Sequence, residues 1–213
     1  MHIFIESTLR HSMVIIGLII GGITFRYLSI GQKIIYTQLW FVIILGAWAT
    51  IRINNGFYSQ PVYSIGNLFL YGIELIYIDY ELKAFRKKKL FRILGLLLLM
   101  CIPLDWIIVR NLNYQSDALI LIHLFLSFFL LFCIVNRPTT NANQLLRWAL
   151  LIFGLGDIIF VVFRNLITWE ANIELGKKMM LMHYAIANLK VLLICISFLT
   201  AYFKREKTLQ LQE

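Results

Sequence analysis

Four side chains able to bind protons or metals interrupt otherwise apolar runs: Asp105, His123, Asp157 and His183. Two more, of opposite charge, stand in the middle of such runs, Glu74 and Lys190, with Asn188 two residues before the lysine. Imidazole gains and loses its proton near neutral pH, and a neighbouring carboxylate can steady either form. The same groups are competent zinc ligands, so His123, His183, Asp105 and Asp157 are the candidate ligands of any metal. No local spacing supports such a site, and neither a metal nor another cofactor is expected. The cysteines Cys101, Cys133 and Cys195 form no CxxC pair and read as small apolar packing residues.

The elements that must position these groups follow from composition. Of the 213 residues, 60% are hydrophobic and 15% charged, and mean hydropathy is +0.78. Soluble domains carry about 25% charged and about 45–50% apolar residues, which excludes a soluble enzyme or a nucleic-acid-binding domain. The net charge of +9 raises the question of nucleic acid, yet the basic residues sit mostly in short segments between apolar runs. There they act as orientation signals in a membrane.

Crossing a hydrocarbon layer of about 30 Å takes about 20 mostly apolar residues. Seven segments qualify, at about 13–30, 34–52, 62–82, 90–109, 118–136, 144–163 and 179–203. Isolated runs of this length can satisfy their backbone only as helices. The expectation is therefore an all-α polytopic membrane protein, one seven-helix transmembrane domain over 1–213. The first run lacks the small-x-small pattern of a cleaved leader and counts as a span. One side collects 13 of the 20 Lys and Arg, six of them within 83–92, and the other side collects 6. The richer side should be cytoplasmic, which puts the N-terminus outside and the C-terminus inside. The last basic residue, Lys190, lies within a span.

Depth follows from a rise of about 1.5 Å per residue. Asp105, His123, Asp157 and His183 fall in one layer roughly 6–10 Å below the outer surface, with Arg110 and Arg164 just above. Glu74 and Lys190 lie near mid-membrane, beyond the reach of snorkelling. They should form an ion pair or share a hydrated cavity. Tyr71 and Asn67, one and two turns before Glu74, extend a polar stripe towards the interior. Asp79 and Glu81 should belong to the solvated cytoplasmic end, near Lys83 and Arg86. Gly17, Gly21, Gly22, Gly154 and Gly156 read as close-packing positions, and Pro103 as a kink beside Asp105.

The segments His183–Lys190 (HYAIANLK), Tyr71–Leu75 (YGIEL) and Gly154–Asp157 (GLGD) resemble a group of short bacterial seven-span membrane proteins. That resemblance implies the seven-helix architecture and no particular activity. Microbial rhodopsins also place a lysine midway along the seventh helix, where it binds retinal. Lys190 matches that position, but Ile186 stands where those proteins carry an acidic residue. Zinc-dependent ceramidase-like and progestin-receptor-like hydrolases carry two histidines four apart on the seventh helix, whereas His183 is followed by Ala187.

Ionisable groups at membrane depth are functional candidates by default, against a plain reading in which they fix helix packing. Three functions are open. The first is a sensor or accessory protein of the cell inner membrane with an outward-facing polar pocket of Glu74, Asp105, His123, Asp157, His183, Asn188 and Lys190. It would work through a separately encoded membrane or cytoplasmic partner. The second is an intramembrane lipid-acting enzyme using the outer Asp/His layer, and the third is retinal binding at Lys190. Other expected partners are anionic lipids at the basic cytoplasmic face, with a homo-oligomer open and nucleic acid excluded.

Overall fold

Inside a bilayer no water competes for backbone amides, so an apolar segment closes its hydrogen bonds within one helix. The computed structural model describes the backbone of residues 2–57, 60–83, 88–109, 118–137, 139–170 and 173–210. Side chains are described over 11–57, 65–83, 88–104, 118–137, 139–163 and 178–204, and at 62 and 175. The described residues form seven α-helices and no strand: α1 His2–Thr24, α2 Ile30–Asn54, α3 Gln60–Glu81, α4 Lys88–Val109, α5 Ala118–Asn136, α6 Asn141–Glu170 and α7 Ile173–Gln210.

Four stretches are long and apolar enough to cross a membrane: Ile30–Asn54, Ala118–Asn136, Asn141–Phe163 and Lys178–Lys204. The chain is thus an α-helical membrane protein. Its periphery is apolar, with Ile23, Phe128 and Val135 among the most exposed side chains, as a lipid-facing surface requires.

Helices adjacent in the chain pack side by side, α1 closes the ring against α7, and α3 reaches across to α5. Short connections favour that order, since a helix joined by a few residues can only return antiparallel beside its predecessor. Ser29 starts α2 with a capping box: its Oγ accepts from the Gln32 amide at 3.3 Å, and Gln32 Oε1 accepts from the Ser29 amide at 2.9 Å. After α2, Gly56 takes φ +76°, the left-handed conformation in which a Cβ would be strained.

Small residues allow the close approaches. A Cβ on Gly21 would run into the Tyr36 ring and stand 3.0 Å from Phe198, whereas one on Gly72 would meet nothing within 4 Å. Gly21→Ala therefore lowers stability by about 1–3 kcal/mol through overpacking, and Gly72→Ala leaves it unchanged or slightly raised. Reversible unfolding of both variants in mixed micelles checks the contrast.

One expectation needs correcting at the end of the bundle that carries the basic segments. Glu81 is not solvated: its side chain is 6% exposed and pairs with Arg147, which is 3% exposed. Arg147 also donates to the Cys133 carbonyl at 2.8 Å and the Arg137 carbonyl at 2.6 Å, while Arg137 donates to the Glu81 carbonyl at 2.9 Å. This guanidinium gives the Cys133 carbonyl a second donor beside the Arg137 amide at 3.1 Å, and it caps the Arg137 carbonyl just past the end of α5. Asp79, by contrast, stays partly exposed and pairs with Lys88 at 3.1 Å and Arg92 at 2.7 Å. Nearby, Gln32 donates to Ser197 Oγ at 2.9 Å and Ser197 donates to the Ala142 carbonyl at 2.7 Å.

Candidate functional site

Residues three, four or seven apart share one face of a helix. Tyr71 and Glu74 do so on α3, His123 and Ser127 on α5, Phe153 and Asp157 on α6, and His183 and Lys190 on α7. Packing turns those faces towards each other and produces two polar clusters.

The deeper cluster joins Glu74 and Lys190. Lys190 Nζ donates to Glu74 Oε1 at 2.7 Å, and Gln38 Nε2 from α2 donates to the same oxygen at 2.7 Å. Phe153 covers the ammonium, its ring centroid 4.2 Å from Nζ, a cation–π contact strengthened by desolvation. Glu74 is 5% and Lys190 8% exposed, so the pair is buried and electrically neutral. Of the two arrangements expected for these residues, the structure has the direct ion pair.

The second cluster centres on Asp157. His123 Nε2 lies 2.6 Å from Asp157 Oδ2 and His183 Nδ1 lies 3.1 Å from Oδ1, the latter off the line of a hydrogen bond. The Tyr71 hydroxyl is 2.7 Å from the same His123 Nε2 and donates to Asp157 Oδ2 at 3.4 Å. Tyr71 meets the His123 ring edge-on with centroids 4.7 Å apart, and His183 stacks on Phe160 at 4.3 Å. Phe153 is near both imidazoles, at 6.4 Å from His123 and 6.2 Å from His183. It therefore packs against both clusters.

Three of the four outer-layer candidates are brought together, from α5, α6 and α7. The Asp105, Arg110 and Arg164 side chains lie outside the described residues. Asn188 joins neither cluster through a described contact, and its buried Oδ1 has no hydrogen-bond partner among the described residues. Gln38 and Phe153 were absent from the sequence reading, and Tyr71 appeared there only as part of a stripe. For Gln38 the available signal was an amide within the second apolar run.

The arrangement limits the chemistry. A hydrolytic base uses one ring nitrogen for its orienting carboxylate and the other for the nucleophile. Here Tyr71 and Asp157 share Nε2 of His123, a residue only 1% exposed. No group of three or more His, Cys, Asp or Glu is arranged for a metal ion among the described residues. Tetrahedral zinc with bonds of about 2.0–2.1 Å would hold two ligand atoms about 3.3 Å apart, further than His123 Nε2 is from Asp157 Oδ2. Comparison with protein-family models, curated proteins and solved structures returned no match.

Proposed function

We propose that this chain is a seven-span sensor or accessory protein of the cell inner membrane, with its N-terminus outside and its C-terminus cytoplasmic. In this reading the Tyr71–His123–Asp157–His183 cluster receives the stimulus from the outer side, and a separately encoded partner reads the response inside. The observation that carries it is the convergence of α3, α5, α6 and α7 on Asp157, two of them also bearing Glu74 and Lys190. Displacing the outer cluster must then strain the central ion pair on the same two helices. At 38 residues α7 is about 57 Å long, well beyond the hydrocarbon thickness, and so extends from the outer cluster into the cytoplasm.

The test is crosslinking of the full-length protein in native membranes, followed by mild-detergent purification. A defined protein that crosslinks to the 203–213 end, and is lost on truncation after Phe203, is the expected result. Recovery of the chain alone in every condition overturns the reading. Cysteine-accessibility mapping should label positions near residue 57 only from outside and positions near residue 204 only from inside.

A lipid-acting enzyme is the second reading, favoured by the direct Asp157–His123 contact. His183, with its side chain 18% exposed, is the member a substrate could reach. Undiminished lipid turnover in Asp157→Asn eliminates that reading. Retinal binding at Lys190 predicts a visible absorption band that disappears in Lys190→Ala.

A further inference from the structure

We propose that the Asp157 cluster is a proton-binding site, holding one exchangeable proton that it takes from the outer side; this rests on the sensor reading and names its stimulus. The argument begins with hydrogen positions. His123 Nε2 stands 2.6 Å from Asp157 Oδ2 and 2.7 Å from the Tyr71 hydroxyl. Two bare acceptors at 2.6 Å would repel, so a proton is held within the triangle of His123 Nε2, Asp157 Oδ2 and the Tyr71 hydroxyl, which is the hydrogen-bond partner of both others. That hydroxyl can donate to Nε2 or to Oδ2.

The far side of the His123 ring is buried and, among the described residues, unpartnered. His123 Nδ1 and Ser127 Oγ are buried and without hydrogen-bond partners among the described residues. Both face Gly154, where a Cβ would stand 2.9 Å from Ser127 Oγ and 3.8 Å from His123 Nδ1. A serine hydroxyl accepts from a protonated Nδ1 and donates to an unprotonated one. Neither atom bonds to the other as placed, so a small shift of the ring or the hydroxyl is needed before Nδ1 gains this partner.

Charge balance supplies the drive. The ionisable groups of the two clusters come from three other helices besides α5: Tyr71 and Glu74 from α3, Asp157 from α6, and His183 and Lys190 from α7. Glu74 and Lys190 cancel. With both imidazoles neutral, an ionised Asp157 leaves the buried region one negative charge in excess, which is costly at low dielectric. One bound proton brings the region to neutrality, and a second would leave it positive. Access runs through His183, whose side chain is 18% exposed against 10% for Asp157 and 1% for His123. Proton uptake there tightens the His183–Asp157 contact and so the α6–α7 interface.

The test uses the full-length protein in lipid nanodiscs with 15N-labelled histidine, following His123 and His183 by NMR between pH 8 and 5. Signals are assigned with His123→Asn and His183→Asn. Both resonances should change through one common transition whose midpoint moves by about one pH unit or more in Asp157→Asn. Where that variant fails to fold, Tyr71→Phe should move the midpoint while keeping the transition common, because both histidines still contact Asp157. Resonances that stay constant over the range, or two independent transitions indifferent to Asp157 and Tyr71, overturn the proposal.

A hydrophilic maleimide spin label on Phe203→Cys separates this from the sensor reading. Histidine transitions with a silent label leave the proton site standing and remove the sensor. A label that responds to pH while the histidines do not titrate retains the sensor and removes the proton site.

Discussion

Replacing Lys190 with methionine destabilises the folded protein by about 3–5 kcal/mol, the cost of leaving a buried charge without its partner. Lys190 Nζ is one of two donors to Glu74 Oε1, and Gln38, the other, is a neutral amide. Removing the ammonium leaves a buried carboxylate with a single hydrogen bond and no counter-charge. Methionine preserves most of the stem volume and its packing on Phe153, so the loss reports the charge and not a cavity. Glu74→Gln in the same background should restore most of the stability, because a glutamine at 74 can exchange amide hydrogen bonds with Gln38. Unfolding in mixed micelles of the two single variants and the double variant gives the coupling energy directly. If the three losses simply add, Glu74 and Lys190 are not the pair described here.

The second large effect is expected at Arg147. Arg147→Met removes the counter-charge of Glu81 and the donors to the Cys133 and Arg137 carbonyls in one step. Loss of a partner from a buried pair costs about 3–5 kcal/mol, and the Arg137 carbonyl loses its side-chain donor besides. Arg147→Lys should recover only part of this. An ammonium is a single point charge, and Arg147 directs its nitrogens at a carboxylate and two carbonyls at once. The control is Arg92→Met, which breaks the exposed pair with Asp79 and should leave the unfolding curve where it was. Equal losses at the two arginines would show that burial of Arg147 contributes nothing.

Both positions bear on how basic residues orient the chain. Arg147 belongs by sequence to the basic side, and its side chain is spent inside the bundle on Glu81. Lys88 and Arg92 are similarly engaged by Asp79. The excess at that end rests on the remaining lysines and arginines, and the proposed orientation keeps its sign without these three.

What the residues alone determined is helix character, together with an expectation of depth. Apolar runs of about 20 residues in a medium without water must be helices, and a fixed rise per residue sets how deep each side chain lies. That is why Glu74 and Lys190 could be paired by depth, and why His123, Asp157 and His183 could be placed in one layer. Rotation of each helix about its own axis was not legible, because it depends on which neighbour each face packs against. Only the packed ring decided that Tyr71 and not Asn188 joins the outer cluster, and that Gln38 reaches Glu74. It also decided that Phe153 packs against both clusters and that Glu81 is covered by Arg147. A polar group in a low-dielectric interior settles where partners satisfy it, and those partners lie on other helices, up to 116 residues away in the chain for Lys190 and Glu74.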